Sequence, residues 1–301
     1  MSDQPGLPFG RESAVDVLQS ACAAVGFDPD GAELLRLGEN AIFRLDDSPV
    51  VVRIARGPDY RASAIKEVNV ARWLAEAGVD AARAWDVDQP IDVGGHPVTF
   101  WHYIAGRRGG PGDVRALGLT LRRLHDLPPP REFAVPEEDI LARVEPRIAR
   151  SPIPSQDRVF LTSLVADLRT EVKALEFPLD TAVTHGDAHV QNLMFRESGE
   201  VVLIDFERVS FGQPEWDLSM TATEHVTAQW WTSAQYSEFA RCYGFDILDW
   251  PGFDVLRRVH EIKMTTWLMQ NINESSAIHD EYARRMATIR DGVRDVRWTT
   301  F

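Results

Sequence analysis

The stretch of sequence that decides the fold reads THGDAHVQNL at residues 184–193 and VVLIDFE at residues 201–207. Asp187 stands five positions before Asn192, and Asp205 closes a run of four apolar residues. A short apolar run of this kind is typical of a buried strand, so the carboxylate that ends it can face a cleft. The pattern therefore predicts a group of polar side chains carried by short strands and the loops that join them.

These residue types suit the transfer of a phosphoryl group to a hydroxyl. Such a transfer needs a carboxylate to orient and deprotonate the hydroxyl, and ligands for the Mg²⁺ ions that bridge the phosphates. Asp187 can supply the base, and Asn192 and Asp205 can supply the oxygen ligands that Mg²⁺ prefers. His185, Asp187 and His189 also show a metal-ligand spacing. A metal-dependent hydrolase that uses them with Asp205 is therefore an alternative, which bound Zn²⁺ would favour.

The rest of the chain divides into two parts by its periodicity. The first third begins with an amphipathic helical pattern at 12–25, then alternates like strands, and contains one long helical pattern that ends at Gly78. From residue 112 onward the pattern is mainly helical. The predicted strands of the first third are 33–37, 41–45, 50–55 and 98–104, and its long helix is 60–77. The predicted helices of the remainder include 114–127, 155–175, 214–227, 233–243, 253–273 and 280–298.

The composition narrows the classes of partner. The 301 residues carry a formal net charge of -14, which argues against nucleic acid because phosphate backbones select basic surfaces. No stretch approaches the roughly 18 uninterrupted apolar residues of a membrane span, and the first residues lack the pattern of a secretory signal. Cys22 and Cys242 show no metal-ligand spacing, so buried thiols are expected. We predict a cytoplasmic protein with no membrane partner, whose surplus of carboxylates would suit a cationic substrate.

The stretch at 184–207 resembles the catalytic core of the aminoglycoside phosphotransferase and choline kinase-like family, relatives of the eukaryotic protein kinases. Members carry His-Gly-Asp where protein kinases carry His-Arg-Asp, as residues 185–187 do. The resemblance implies an α+β, bilobal protein kinase-like fold. Residues 1–104 would form a small, β-rich nucleotide-binding lobe that ends in the hinge. Residues 105–301 would form a larger helical lobe with the catalytic loop and the acceptor site.

The resemblance also implies roles for single residues. Asp187 would be the catalytic base, His185 would support its loop, and Asn192 and Asp205 would bind Mg²⁺. The segment FGQPEWDL at residues 211–218 resembles the family's stretch that ends in Asp-Leu. Asp217 would then accept backbone hydrogen bonds from the catalytic loop and hold the base in place.

The small lobe supports the same interpretation. Residues 37–45, LGENAIFRL, resemble the family's nucleotide loop and contain Asn40. Arg53 stands in the strand position where the kinase pattern has Lys, and Glu67 of the next helix is its expected ion-pair partner. Lys66 is expected to point to the surface. Because Arg53 departs from the pattern, a catalytically impaired, nucleotide-binding or partner-binding pseudokinase is the alternative function.

The predicted hinge is the aromatic segment that contains Trp101, His102 and Tyr103. The resemblance implies that its backbone N–H and C=O groups read the edge of the adenine. Ordinary strand packing explains the aromatic residues equally well. ATP and GTP both remain candidates for the nucleotide.

The acceptor site is expected on the C-terminal helices. Clustered tryptophans could line a pocket for a sugar or a flat cation, or they could belong to the core. The candidates are Glu224, His225, Trp230, Trp231, Glu261, Trp267 and Gln270, with Glu224, Glu261 and Trp267 favoured. The interpretation that follows is a Mg²⁺-dependent kinase of an aminoglycoside-like, sugar or amino-alcohol hydroxyl. A protein substrate is disfavoured because few residues separate Asp205 from Pro214.

Overall fold

The computed structural model describes residues 9–38, 40–294 and 296–300. The helices are α1 (Arg11–Val25), α2 (Arg61–Glu76), α3 (Val114–His125), α4 (Val144–Arg150), α5 (Ser155–Lys173), α6 (Pro214–Val226), α7 (Ser233–Tyr243), α8 (Phe253–Leu268) and α9 (Ser276–Asp291). The strands are β1 (Glu33–Leu37), β2 (Asn40–Arg44), β3 (Val50–Ala55), β4 (Ile91–Val93), β5 (His96–His102), β6 (Arg107–Arg108), β7 (Ala182–Thr184), β8 (Leu193–Phe195), β9 (Val201–Leu203) and β10 (Ser210–Gly212).

These elements form two compact units. Within the described residues, the first unit holds the chain up to Arg108, together with Pro130–Phe133 and Asn192–Val209. The second unit holds Gly109–Pro129, Ala134–Gln191 and the chain from Ser210 onward. The hairpin of β8 and β9 thus belongs to the unit that contains the N-terminal sheet. The lobe boundary at residues 104 and 105 stays a prediction.

An antiparallel five-stranded sheet organises the first unit, with strand order β1-β2-β3-β5-β4. Val52 and Ile54 of β3 are fully buried and belong to a core with Leu18 of α1 and Phe100 of β5. Each such side chain contributes roughly 1.5–3 kcal/mol by its burial. Because successive strand residues point to opposite faces, Arg53 points away from this core. The alternation therefore frees the Arg53 guanidinium to take part in a polar site.

The second unit is mainly helical. α3 packs against α7, and α6 against α8. The α3–α7 pair is close at Gly118, where a Cβ would lie 2.7 Å from the carbonyl oxygen of Phe239. Glycine at this position therefore lets the middle of α3 approach the middle of α7.

A two-stranded ribbon of β7 and β10 leads into the loop of interest. Thr184 lies opposite Ser210, and Val183 lies opposite Phe211. β7 thus ends one residue before His185, while β10 leads into α6. The ribbon therefore brings the first turn of α6 beside the backbone that follows β7.

Several predicted ends of elements are wrong. The strand predicted at 98–104 runs from His96 to His102. The helix predicted at 253–273 ends at Leu268 and continues as a short 3-10 turn. The helix predicted at 280–298 spans Ser276–Asp291, because the Ser275 hydroxyl accepts from the N–H of Ile278 at the start and Gly292 takes a left-handed conformation at the end.

Within the part of the chain that the structure describes, no helix is both long enough and apolar enough to span a membrane.

Candidate active site

Arg53 is the centre of a polar group in the first unit. Its Nη1 donates to Oε2 of Glu67, on α2, so the expected ion pair is present. Its Nη2 lies 3.5 Å from Oε2 of Glu207. The side chain of Arg53 is 21% exposed and that of Glu67 is 5% exposed. A guanidinium in this environment is held by carboxylates on two sides and keeps one edge accessible.

Asn40 completes the surroundings of Arg53. When its amide oxygen faces the guanidinium, it accepts from Nη2 at 2.9 Å and from Nε at 3.2 Å. The amide orientation is assigned from this network of donors. Asn40 orients the guanidinium from β2 while Glu67 does so from α2. The structure therefore brings together three residues that the sequence selected for the nucleotide.

The charges of this group are unbalanced. Burial alone would lower the pKa of Arg53, but the carboxylates of Glu67, Asp205 and Glu207 outweigh it and raise the pKa. Burial raises the pKa of Glu67 to about 7, and Asp205 and Glu207 add to the increase while Arg53 opposes it. Two carboxylates, those of Glu67 and Glu207, thus lie beside one guanidinium, and the charge of Asp205 also acts on it. Such an excess of negative charge fits a site that receives a divalent cation.

A depression of about 290 Å³, counting the space open to solvent, lies beside the Arg53–Glu67 pair. Asn40 and Glu207 line it with this pair, and Thr99 of β5 lies on its wall. Its polar lining suits a charged group. The depression and the polar group around Arg53 therefore form one site.

The β8–β9 hairpin carries the two expected metal ligands. Leu193 pairs with Leu203, and the N–H of Ile204 donates to the carbonyl oxygen of Asn192 at 2.9 Å. Asn192, which directly precedes β8, therefore lies opposite Ile204, the residue before Asp205. Their side chains offer amide and carboxylate oxygens, the hard donors that Mg²⁺ binds. The donor set fits the metal that the sequence predicts.

Asp205 has an uncommon backbone conformation. Its φ is 68°, in the left-handed region that side chains other than glycine disfavour. The residue is exposed, whereas the next one, Phe206, is buried and lies against the ring of Trp101 with centroids 6.4 Å apart. The buried Phe206 anchors the loop while Asp205 faces out. An exposed carboxylate on a constrained backbone is typical of a functional position.

The prediction for Lys66 is wrong. Its Nζ donates to the carbonyl oxygen of Glu207 at 2.6 Å and to that of Val209 at 3.0 Å. The side chain is half-buried rather than free on the surface. It was missed because its partners lie 141 and 143 residues further along the chain.

Two backbone N–H groups of the expected hinge are already in use. The N–H of His102 donates to the carbonyl oxygen of Arg83 at 2.9 Å, and the N–H of Tyr103 donates to the carbonyl oxygen of Pro49 at 2.7 Å. Trp101 donates its indole N–H to the hydroxyl of Thr99 at 2.9 Å. A donor for the adenine would therefore come from the residues after Tyr103.

The side chains of the hinge pack within the first unit. The His102 ring lies 4.3 Å from that of Trp85, and burial, with Arg83 and Arg196 nearby, lowers its pKa. The Arg44 guanidinium lies 5.0 Å from the centre of the Tyr103 ring.

The loop after β7 is the centre of the second unit's polar group. His185 is fully buried, and its role as a support of the loop stays a prediction. Gly186 has a φ of 75°, which turns the backbone. The side chain of Asp187 is 39% exposed, and its Oδ2 lies 3.6 Å from Nε2 of His189. The loop thus presents the Asp187 carboxylate to solvent, next to the buried His185.

Asp217, near the start of α6, holds this loop. Its carboxylate accepts from the N–H of His185 at 2.6 Å and from the N–H of Gly186 at 2.8 Å. It is 1% exposed, so both bonds form in a region of low dielectric constant. These are the bonds that the family resemblance led us to expect.

His125 and Tyr243 extend this network and were not predicted. The carboxylate of Asp217 only accepts, so Nε2 of His125 carries the proton that it donates at 3.0 Å. Nδ1 of His125 lies 3.0 Å from the Tyr243 hydroxyl. The close approach of α3 and α7 puts these two side chains together. No local spacing in the sequence pairs residue 125 with residue 217.

Glu138 is a second carboxyl group beside the ribbon, and it is partly buried. Burial raises its pKa to about 8, and the nearby Asp217 adds to the increase. The hydroxyl of Thr184 lies 3.3 Å from its Oε2. Glu138 therefore takes up a proton at a higher pH than an exposed glutamate does.

Glu224 and Glu261, the two expected acidic residues of the acceptor site, lie in different environments. Glu224 is 6% exposed and accepts from the indole N–H of Trp231 at 2.8 Å. Burial raises its pKa to about 7, and the Asp187 carboxylate contributes to the increase. Glu261 is buried and paired with Arg257 and, at 2.5 Å, with Arg294.

The remaining aromatic candidates are divided between surface and core. Trp267 is 46% exposed. Trp230 donates its indole N–H to the carbonyl oxygen of Trp298 at 2.7 Å. His225 stacks on Tyr236 with centroids 5.0 Å apart. Trp230 and His225 therefore serve the packing of their own unit, whereas Trp267 has a free face.

Among the described residues, no group of three or more His, Cys, Asp or Glu side chains could hold a metal ion; the Asn192–Asp205 pair is a different donor set, which Mg²⁺ would complete with phosphate and water.

The comparison with protein families shows the family of this chain. The model of the phosphotransferase enzyme family matches residues 33–259. The chain belongs to this family. The predicted enzyme class, a phosphotransferase that acts on an alcohol group, is confirmed. No curated protein matches the sequence.

Solved structures show which fold this phosphotransferase has. An amicoumacin kinase in complex with AMP-PNP, Ca²⁺ and Ami superposes with a TM-score of 0.75 at 17% identity, over 96% of this chain and 97% of that one. A choline/ethanolamine kinase family protein from Mesorhizobium loti gives 0.64 at 19% identity, over 93% of both chains. Spectinomycin phosphotransferase, in complex with ADP and spectinomycin, gives 0.64 at 14% identity, over 93% of this chain and 95% of that one. The predicted α+β, protein kinase-like fold is confirmed.

Proposed function

We propose that this phosphotransferase moves the γ-phosphoryl group of ATP or GTP onto a hydroxyl of a small acceptor, with Asp187 as the base. The observation that carries the proposal is the double backbone bond from His185 and Gly186 to the Asp217 carboxylate. It fixes the backbone immediately before Asp187, while the Asp187 side chain remains 39% exposed. A fixed and accessible carboxylate is what a general base needs, because its efficiency depends on its position relative to the hydroxyl.

The metal and nucleotide would be held by the first unit. Asn192 and Asp205 would bind Mg²⁺, which when bound bridges the phosphates and neutralises their charge. Arg53, oriented by Asn40 and Glu67, would donate to phosphate oxygens. The segment from Trp101 through His102 and Tyr103 would face the adenine, with its carbonyl oxygens and with the amides that follow it. AMP-PNP and ADP in the complexes of two structural neighbours support a nucleotide in this fold.

The acceptor would be bound by the second unit and would carry a positive charge. Glu224 is buried, and its pKa of about 7 reflects both its desolvation and the nearby charge of Asp187. An ammonium group beside it would offset that penalty. Trp267 offers an exposed aromatic face for the same acceptor. We assign Glu261 a supporting role, because two arginines already occupy its carboxylate.

These features favour an aminoglycoside-like, amino-sugar or amino-alcohol acceptor. The net charge of -14 points in the same direction, because an acidic surface attracts cations. A matched comparison of glucosamine with glucose isolates the contribution of the charge.

A pseudokinase is the second candidate, and the surroundings of Arg53 favour it. The guanidinium already contacts Glu67, Glu207 and, through Nε and Nη2, Asn40. A phosphate must compete with these partners for its donors. The retained Asp187, Asn192 and Asp205 argue for chemistry instead.

A coupled assay of nucleoside diphosphate release tests the proposal. The wild-type enzyme, with Mg²⁺ and either ATP or GTP, is screened against aminoglycosides, amino sugars, amino alcohols and homoserine-like compounds. We expect release that depends on the acceptor and is faster for amines than for their neutral counterparts. Nucleotide binding without release for any acceptor would support the pseudokinase.

A further inference from the structure

Helix α2 contacts two different parts of the first unit through adjacent residues. Successive helix residues point about 100° apart, so Lys66 and Glu67 leave α2 in different directions. Glu67 pairs with Arg53 of β3. Lys66 donates to the carbonyl oxygens of Glu207 and Val209. One turn of helix therefore holds both the guanidinium and the segment that follows Asp205.

The segment after Asp205 needs such a contact. Asp205 itself has a φ of 68°, a conformation that persists only when neighbouring contacts enforce it. On its C-terminal side the N–H of Val209 donates to the carbonyl oxygen of Phe206 at 3.2 Å, which closes a turn. The carbonyl oxygens of residues 207 and 209 converge on the side of this turn that faces α2. Without a donor there, two partly buried acceptors would lose their partner.

An ammonium group suits this position. It carries three donors around one atom and can serve two carbonyl oxygens at once, whereas a guanidinium donates in a plane. The chain has lysine only at positions 66, 173 and 263 and uses arginine at its other basic positions. Hydrogen bonds from a charged donor are also stronger than neutral ones.

We propose that Lys66 is a positioning residue that fixes the loop carrying Asp205 and so sets how tightly the enzyme holds the metal–nucleotide. The inference rests on the proposed function, in which Asp205 is a metal ligand. It goes beyond that function because it assigns the order of the loop to one side chain of α2. Lys66 acts through Asp205 and does not touch the nucleotide.

The test measures the Mg²⁺ dependence of AMP-PNP binding by titration calorimetry, together with hydrogen exchange of residues 203–210 in the nucleotide-free enzyme. Lys66→Met should raise the Mg²⁺ concentration for half-maximal binding by about tenfold, the effect of losing a charge-assisted hydrogen bond. Exchange in this segment should also become faster. Lys66→Arg should recover part of both effects. Lys173→Met, which removes the same charge from an exposed side chain at the end of α5, should change neither.

The outcomes separate the inference from the function on which it rests. Wild-type Mg²⁺ dependence and wild-type exchange in Lys66→Met would overturn the inference. If that variant does not fold, Lys66→Gln decides, because it loses the charge and the reach of lysine, and wild-type exchange with an unchanged Mg²⁺ dependence in it overturns the inference as well. Asp205→Asn tests the function itself, since an unchanged Mg²⁺ dependence there removes Asp205 as a ligand whatever Lys66 does.

Discussion

Replacing Asp217 with asparagine should separate the position of the base from the binding of the nucleotide. The carboxylate accepts three hydrogen bonds, from the N–H of His185 at 2.6 Å, from the N–H of Gly186 at 2.8 Å and from Nε2 of His125 at 3.0 Å. Asparagine keeps one acceptor oxygen and presents an NH₂ group in place of the other. At least one buried donor then loses its acceptor.

The size of the effect follows from these contacts. A lost hydrogen bond to a charged group costs about 1.5–3 kcal/mol, and an unsatisfied buried donor adds to the cost. We expect the free energy of unfolding to fall by about 2–3 kcal/mol. The loop then relaxes, and a displacement of the base by about 1 Å lowers kcat by about a hundredfold. The nucleotide KM should remain within about threefold of the wild-type value, because no nucleotide contact is assigned to this loop.

The matched control is Glu215→Gln, two residues away on the same helix. Glu215 is also fully buried, and its Oε1 accepts from the N–H of Leu179 at 2.8 Å rather than from the catalytic loop. Glutamine keeps an oxygen that can accept from Leu179, so this variant should change kcat little and cost less stability than Asp217→Asn does. Steady-state kinetics and thermal unfolding of both variants provide the comparison. A kcat of Asp217→Asn within about threefold of wild type, with the stability loss present, would refute the role of Asp217 in positioning the base.

Two further predictions concern residues of the second unit. Burial raises the pKa of Glu224 to about 7, so Glu224 gains its negative charge as the pH rises through that value. The KM for a cationic acceptor should therefore fall from about pH 6 to about pH 8. Glu224→Gln should flatten this pH profile of KM, and a profile that persists in the variant would contradict the assignment. His125→Asn removes the third donor to Asp217 and should lower kcat by about tenfold with the nucleotide KM unchanged. Its effect should be less than additive with Asp217→Asn in a double-mutant cycle, and strict additivity would show that the two side chains do not act together.

The parts of the site that the sequence predicted are those carried by short, continuous motifs. The spacing of Asp187 and Asn192 and the apolar run before Asp205 place their side chains through local structure alone. The Arg53–Glu67 pair could be expected because a strand and the helix that follows it commonly pack together. The bonds from the loop to Asp217 followed from the family resemblance.

The missed residues depend on packing between distant segments. Lys66 reaches carbonyl groups 141 and 143 residues away, and backbone carbonyls leave no signature in the residue types. His125 of α3 meets Asp217 of α6 across 92 residues of sequence, and Gly118 lets α3 approach α7, which carries its second partner, Tyr243. For Glu261 the sequence did indicate a competing partner, because Arg257 stands four positions earlier on the same helix and pairs with it. Its second partner, Arg294, comes from beyond α9.

The central claim is that Asp187 is the base of a functioning kinase. The most direct test measures acceptor-dependent turnover and nucleotide affinity on the same preparation of Asp187→Ala, with Asp180→Ala, at an exposed position, as the control for the loss of one carboxylate. Loss of a general base lowers the rate by about a hundred- to ten-thousandfold, so turnover should fall by that amount while the Kd for the nucleotide stays near the wild-type value. Turnover at the wild-type rate in Asp187→Ala would contradict the claim.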